Sequence, residues 1–434
     1  MMSLLVVAAI VVAVALGYKT KINIGLFAIA FAYLIGCFGM GLSPSEIIGM
    51  WPLKIFFIIF AVCLFYSFAT VNGTLEKLAE HLIYRCRSMP QLLPFAVFFT
   101  ATLIAAMGAG YYTVLAFMAP ITLLLCQRTG MSLITGSMAV NYGALSGANF
   151  VSSQSGIIFR GLMVNAGIPE NDAFINAAAI FASTLVIPLL VISVLVFLTG
   201  QRKALKASAY VATEATPLNR EQKITLWLTL AMMAIVLAAP IAQIAFPDNT
   251  TVRFLNSKMD IGLIASVFSV IALLLKLGDE RKVMASVPWA TLIMICGVGM
   301  LISVAIKAGT INLLASWMGS SISPILVPIV FGIVAACMSL FSSTLGVVTP
   351  ALFPMVPPIA AAIGLDPMVL FVAIVVGAQA TSISPFSSGG SLILGCCPTD
   401  QSRASLFPQL LLRAAPLGFA AALIFNAAFT FALF

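Results

Sequence analysis

Charge is scarce in this sequence. Asp, Glu, Lys and Arg make up 8% of the 434 residues, and His81 is the single histidine. A soluble domain carries about a quarter charged residues, so water is not the main solvent here. Metal-ligand spacings are missing as well. The eight cysteines (Cys37, Cys63, Cys86, Cys126, Cys296, Cys337, Cys396, Cys397) form no CxxC and no Cys/His set, which argues against a zinc site or a disulfide framework. They read as small apolar packing residues. No Asp or Glu falls mid-span in any apolar run, and His81 sits in a polar segment. Neither a catalytic acid/base set nor the carboxylate relay of a proton pump is on offer. A membrane-embedded enzyme is disfavoured on that ground.

What is abundant is apolar length. The hydrophobic fraction is 62% and the mean hydropathy +1.15. Continuous apolar blocks of about 20 residues, the length that crosses a bilayer as helix, recur from end to end. A β-barrel would show short alternating strands instead. The chain is therefore expected to be an all-α polytopic membrane protein, with helices at about 3–17, 22–40, 52–72, 131–163, 173–199, 222–246, 260–277, 287–306, 366–397 and 408–433. The run from Leu4 to Gly17 has no Lys or Arg before it and no small-residue cleavage pattern after it, so it reads as a retained helix rather than a signal.

The two halves resemble each other. Lys21-Ile22-Asn23-Ile24-Gly25-Leu26 recurs 237 residues on as Lys258-Met259-Asp260-Ile261-Gly262-Leu263, and Pro52 and Gly73-Thr74 recur 236 on as Pro288 and Gly309-Thr310. Later the offset is 234: Pro120 with Pro354, Gly143-Ala144 with Gly377-Ala378, Ser153 with Ser387, Gly156 with Gly390. Five helices per half, an odd number, predict two inverted-topology repeats, 1–199 and 224–434, joined by a cytoplasmic linker, 200–223. Charge placement gives the same topology. With both termini outside, only Lys54, Arg160, Arg253, Lys258 and Lys307 of the 21 basic residues lie on the outer side, a positive-inside pattern. The net charge of +8 thus reports topology rather than a nucleic-acid partner.

Two apolar stretches, about 91–127 and 323–364, read either as two tight spans or as one re-entrant helical hairpin each. Their centres, Met107-Gly108-Ala109-Gly110 and Ser342-Ser343-Thr344, are small or hydroxylic, which favours hairpins whose tips line a cavity. The segment after each hairpin carries a polar interruption. In the broken helix at about 131–163 it is Ser146-Gly147-Ala148-Asn149-Phe150-Val151-Ser152-Ser153; in that at about 366–397 it is Thr381-Ser382-Ile383-Ser384-Pro385-Phe386-Ser387-Ser388. Pro385 removes a helix donor. Paired breaks at matched positions point to a transport site. New N–H ends attract carboxylates, while carbonyl ends with Ser, Thr and Asn oxygens suit a hard cation such as Na⁺. The expected substrate contacts are Ser342, Ser343, Thr344, Ser384, Pro385, Ser387, Asn149, Ser152, Ser153, Gly108, Ala109 and Gly110; the expected Na⁺ ligands are Ser146, Gly147, Asn149, Ser343, Thr381 and Ser382. Singly, a Ser or Gly here is more often a helix-packing residue; four interruptions at matched positions carry the functional reading. Arg160 and Lys307 either anchor helix ends or draw anions into an outer vestibule.

Asn72-Gly73-Thr74-Leu75, Ser342-Ser343-Thr344-Leu345-Gly346 and Thr381–Gly390 resemble the dicarboxylate carriers of the malonate-carrier (MatC) type. That group is similar to the divalent anion/sodium symporters of the ion transporter superfamily. The resemblance implies a homodimer in which a transport domain holding the hairpins and broken helices moves like an elevator. By resemblance, Ser342-Ser343-Thr344 takes the place of a Ser-Asn-Thr tip motif. Ser384-Pro385 likewise matches a Thr-Pro that contacts substrate carboxylate and helps form a sodium site. The first tip departs, because Gly108-Ala109-Gly110 offers no side-chain oxygen. The expected function is cation-coupled carriage of a small dicarboxylate, malonate or a C4 acid, across a bacterial inner membrane. The alternatives are a proton-coupled or exchange carrier for another organic anion (citrate, a sulfonate) or an anion channel. No cofactor beyond a coupling Na⁺ is implied.

Overall fold

A computed structural model describes residues 2–20, 22–85, 92–198, 216–246, 249–310, 322–340 and 343–433. Among these every regular element is helical, as the apolar blocks predict. Seven of the described helices are long and apolar enough to cross a bilayer, and several shorter apolar ones pack among them. Large apolar side chains stand outward, with Phe38 75% and Leu274 77% exposed. A soluble protein would bury such a surface; here lipid is its solvent.

The two halves fold from the same local devices. Ser43 and Glu46 form a capping box that starts the short helix Pro44–Gly49, and Asp279 caps its counterpart Glu280–Ala285. Each is followed by a proline, Pro52 or Pro288, that opens a 19-residue span, Leu53–Val71 or Trp289–Lys307. The entry turns match at the same offset: Leu53 N–H donates to Trp51 O, and Trp289 N–H to Val287 O. Close helix contacts recur too. A Cβ on Gly143 would lie 2.4 Å from Phe98 O, and one on Gly377 would lie 2.2 Å from Gly332 O; both pairs are related by 234. Only glycine lets these backbones approach so closely.

Both apolar stretches turn back on themselves. In the first, Leu93–Ile104 passes through a π-helical turn, Ala105–Ala109, and Gly110 starts Tyr111–Thr129. The reversal uses positive φ at Gly108 (94°) and Gly110 (74°), a region costly to other residues. In the second, Val327–Ser339 leads to Ser343, which caps a π-helical turn, Thr344–Val348; prolines then divide the return into Thr349–Leu352 and Val356–Ile363. Ser342 lies outside the described residues. Both long segments are broken where the polar interruptions fall, giving Leu133–Ala148 with Gln154–Asn165 and Pro367–Ala380 with Ser388–Gly395.

Several boundaries differ from those read in the sequence, and caps explain them. The expected linker 200–223 ends early because Asn219 and Gln222 form a capping box that starts Arg220–Ala245; residues 200–215 lie outside the described ones. The last helical segment begins at Asp400 rather than near 408, set by the Thr399–Ser402 box, and runs through a π-helical turn into Ala415–Leu433. A polar helix, Thr250–Lys258, capped by Asn249, was not expected.

Candidate functional site

The second hairpin tip and the second helix break meet in one cavity. Ser339, Ser343, Thr344, Gln379, Ser382, Ser387 and Ser388, with Tyr111 and Tyr112 from the first half, line a small cavity of about 20 Å³, room for a single water as it stands. None of its lining residues is charged. Two helix beginnings converge there. Ser343 accepts from Gly346 N–H at 3.2 Å, and Ser387 accepts from Gly390 N–H at 3.2 Å. The first-turn N–H groups beyond those caps, on Thr344, Leu345, Ser388 and Gly389, have no helical acceptor by position. Two positive helix ends therefore share one small, uncharged pocket, the arrangement that attracts anions.

The break itself is tightly wired. Pro385 is buried, Ser384 is fully buried, and Ser384 Oγ accepts from Phe386 N–H at 3.3 Å. Ser387 donates to Ser382 O and to Ser384 O. Gly390 is required because a Cβ there would lie 2.1 Å from Ser384 O. Thr381 donates to Ala336 O of the hairpin at 2.8 Å, which joins break to hairpin. Ser382 Oγ donates to Gln379 O at 2.7 Å and accepts from Asn141 at 3.3 Å. Thr344 and Ser339 hydroxyls lie 3.2 Å apart. Among the expected Na⁺ ligands, Thr381 and Ser382 thus already spend their protons on carbonyls; a cation here would use their remaining lone pairs.

The first half is arranged differently. Gly108, Ala109 and Gly110 are buried, and the Tyr66 ring occupies the space a Cβ on Gly108 would need, 2.0 Å away. Tyr66 OH donates to Ser152 O at 3.3 Å, and Ser153 donates to Ala105 O at 2.6 Å, tying the first tip to the first break. A Cβ on Gly147 would lie 2.0 Å from Thr102 O. Ser146 donates to Tyr142 O and to Thr184 O. Asn149 bonds Thr184 Oγ1 and Gln379. Ser152 Oγ is buried without a hydrogen-bond partner, the one orphaned hydroxyl among those expected site residues that are described. The structure therefore brings Ser343, Thr344, Ser382 and Ser387 around a cavity, leaves Thr381, Ser384 and Pro385 outside its lining, and packs Gly108 and Ser152 against Tyr66.

Several cavity residues escape a reading of the sequence. Tyr111 and Tyr112 follow the first tip directly, yet they read as ordinary core aromatics. Tyr111 in fact donates to Asn141 Oδ1 at 2.7 Å, and a Cβ on Gly389 would strike its hydroxyl. Gln379 had a visible signal: it is a lone amide at the end of an otherwise apolar helix. Lys307, read as either a helix-end anchor or a vestibule cation, is held by Glu46 at 2.8 Å, as suits an anchor. His81 accepts or donates only locally, with Nδ1 2.8 Å from Lys77 O in the amphipathic helix Thr74–Arg85.

Broken helices and an uncharged cavity between helix ends, set among apolar helices long enough to cross a bilayer, define the fold of an integral membrane protein. Two solved structures share it. The YdaH transporter of Alcanivorax borkumensis aligns with a TM-score of 0.61 at 17% identity, over 89% of this chain and 86% of its own. MtrF of Neisseria gonorrhoeae, from a class of antimetabolite efflux pumps, aligns with a TM-score of 0.60 at 15% identity, over 92% and 85%. The likeness of both is one of fold. The family is more specific. Residues 1–148 match the family described as the dicarboxylate carrier protein MatC N-terminus, so the MatC resemblance read from the motifs is borne out over that region. No curated protein matches the chain.

Proposed function

We propose that the chain is a secondary carrier for a small organic dicarboxylate, malonate or a C4 acid, coupled to Na⁺. One observation carries the reading: two helix N-termini, at Ser343–Thr344 and Ser387–Ser388, face one cavity that holds no charged residue. Two such ends suit the two carboxylates of a dianion, each contact being worth about 0.3–1 kcal/mol when exposed and up to ~2 when partly buried. The dicarboxylate-carrier match over residues 1–148 supports that substrate class. Coupling by Na⁺ rather than H⁺ is supported by a cavity lined by hydroxyls and an amide, with no carboxylate or histidine to carry a proton. The orphaned Ser152 hydroxyl is the first-half oxygen best placed to meet a second ion.

The repeated glycine contacts and entry turns support two inverted repeats, 1–199 and 224–434, with both termini outside. A homodimer, with the hairpins and breaks moving together as an elevator, completes this reading by resemblance. Tight wiring of each tip to its break, Thr381 to Ala336 and Ser153 to Ala105, supports their moving as one body. Uptake of malonate or succinate into proteoliposomes tests it. Uptake should rise with an inward Na⁺ gradient and fall when choline replaces Na⁺ at fixed pH. Uptake that ignores Na⁺ and follows a pH jump instead identifies a proton-coupled carrier.

A further inference from the structure

Two other cavities are related to each other by the repeat. The larger, about 740 Å³ and open to solvent, shares Tyr112, Ser343, Ser387 and Ser388 with the central site and so leads into it. Its wall includes Ile22, Asn23, Ile24, Ala290, Thr291 and Met294. Shifted by 237 or 236, those positions become Met259, Asp260, Ile261, Lys54, Ile55 and Ile58. All six line a second cavity of about 110 Å³. The second cavity is thus the counterpart of the entrance vestibule. Under the inverted-repeat reading it lies on the opposite membrane face.

The counterpart differs in chemistry. Ala290 is replaced by Lys54, and Arg160 projects into the same space. The Arg160 side chain is only 15% exposed, its Nε is buried without a partner, and its guanidinium packs 5.2 Å from the Phe174 ring centre. Its nearest carboxylate, Glu170, is 3.9 Å away and itself 65% exposed. A charge-assisted hydrogen bond needs about 2.7–2.9 Å, so Arg160 is neutralised at a distance but not bonded. Asp260, the other acid in the wall, spends Oδ1 on the Leu263 N–H. A largely desolvated guanidinium with donors to spare is costly unless something accepts from it, and its planar fork fits a carboxylate.

We propose that this cavity is a carboxylate-binding site, in which Arg160 holds a small organic acid and Lys54 adds charge at its wall. Its role as a loading site ahead of the central cavity rests on the carrier reading; the binding itself does not. None of the described residues lining the entrance vestibule is charged, and the residue 234 positions on from Arg160 is Leu394. The two faces would therefore load unequally.

The test uses full-length protein in nanodiscs and phenylglyoxal, which modifies arginine, with the Arg160 peptide followed by mass spectrometry. Malonate should slow modification of Arg160 by about fivefold or more against chloride at equal ionic strength. The same protection should persist in Thr344→Ala, which disturbs only the central cavity. Equal rates with malonate and chloride overturn the site. So does an Arg160 that neither phenylglyoxal nor methylglyoxal reaches, since methylglyoxal is smaller than malonate and a cavity closed to it is closed to malonate. Arg160→Gln should also lower kcat/KM through KM, with Arg160→Lys recovering part of the loss. Protection at Arg160 with no dicarboxylate uptake by the unaltered protein refutes the carrier reading and leaves the site standing.

Discussion

Asn149 and Gln379 exchange two hydrogen bonds across the molecule. Asn149 Nδ2 donates to Gln379 Oε1 at 2.9 Å, and Gln379 Nε2 donates to Asn149 Oδ1 at 3.0 Å. Both side chains are buried, at 0% and 4% exposure, and they stand at the ends of the two broken helices, Leu133–Ala148 and Pro367–Ala380. The pair clamps one break to the other just behind the central cavity, which Gln379 also lines.

Removing one partner strands the other's amide. Asn149→Ala should cost about 1–3 kcal/mol, read as a lowered unfolding temperature of the purified protein in nanodiscs. The pair is tested by a cycle: Asn149→Leu with Gln379→Leu should cost less than the sum of the single changes. Strictly additive losses would show that the two amides do not act together.

Ser343→Ala and Thr344→Ala, both in the cavity wall, should each cut dicarboxylate uptake about tenfold, equivalent to one lost hydrogen bond to a charged group. Ser384→Ala, whose hydroxyl lies outside the wall and accepts from the Phe386 N–H, should reduce uptake less. Protein abundance in the membrane should stay near that of the unaltered chain, since two of these hydroxyls bond only local partners. Normal uptake in all three variants would reject the cavity as the substrate site.

Gly108 should tolerate no side chain. Its φ of 94° and the Tyr66 ring 2.0 Å from a virtual Cβ add backbone strain of about 1–2 kcal/mol to overpacking of about 1–3 kcal/mol. Gly108→Ala is expected to lower yield or stability, and Tyr66→Ala should recover only the packing share. Full recovery in the double variant would show that backbone conformation at the tip does not matter.

Glu46 gives a pH signature away from the membrane core. Its hydrogen bond with Lys307, then those from Ser43, hold its carboxyl at about 2 instead of the usual 4.5. A depressed carboxyl contributes stability above its unfolded value and loses it as pH falls. The unfolding temperature of Glu46→Gln should therefore lie below that of the unaltered protein near pH 6, with the gap closing between pH 4.5 and 2. A gap that persists at the acid end would remove ionisation of Glu46 as its cause.

Much of this architecture was legible because lipid leaves the sequence few choices. Backbone groups in hydrocarbon must bond internally, so a polar, glycine-rich interruption such as Ser146–Ser153 or Thr381–Ser388 marks a break almost by itself. Gly108 and Gly110 were legible for the same reason. Ends in water were not, because caps such as Asn219 with Gln222 or Thr399 with Ser402 depend on single side chains and moved the boundaries near 220 and 400. The cavity was half legible. Ser343, Thr344 and Ser387 carry the chemistry in their own letters, whereas Tyr111, Tyr112 and Ser339 matter only through which backbone segments come together. The aromatic plug of the first tip is a long-range contact of that kind, since Tyr66 lies in another helix.

The central cavity, lined by hydroxyls, amides and helix ends, has no formal charge of its own. Reorienting it empty would move no site charge through the transmembrane field, so voltage could act only on the cargo. A dianion with two Na⁺ would cross electrically silent, while a third Na⁺ would add about 2.3 kcal/mol of drive per 100 mV. Current recorded across a membrane holding the protein therefore counts ions in the cargo.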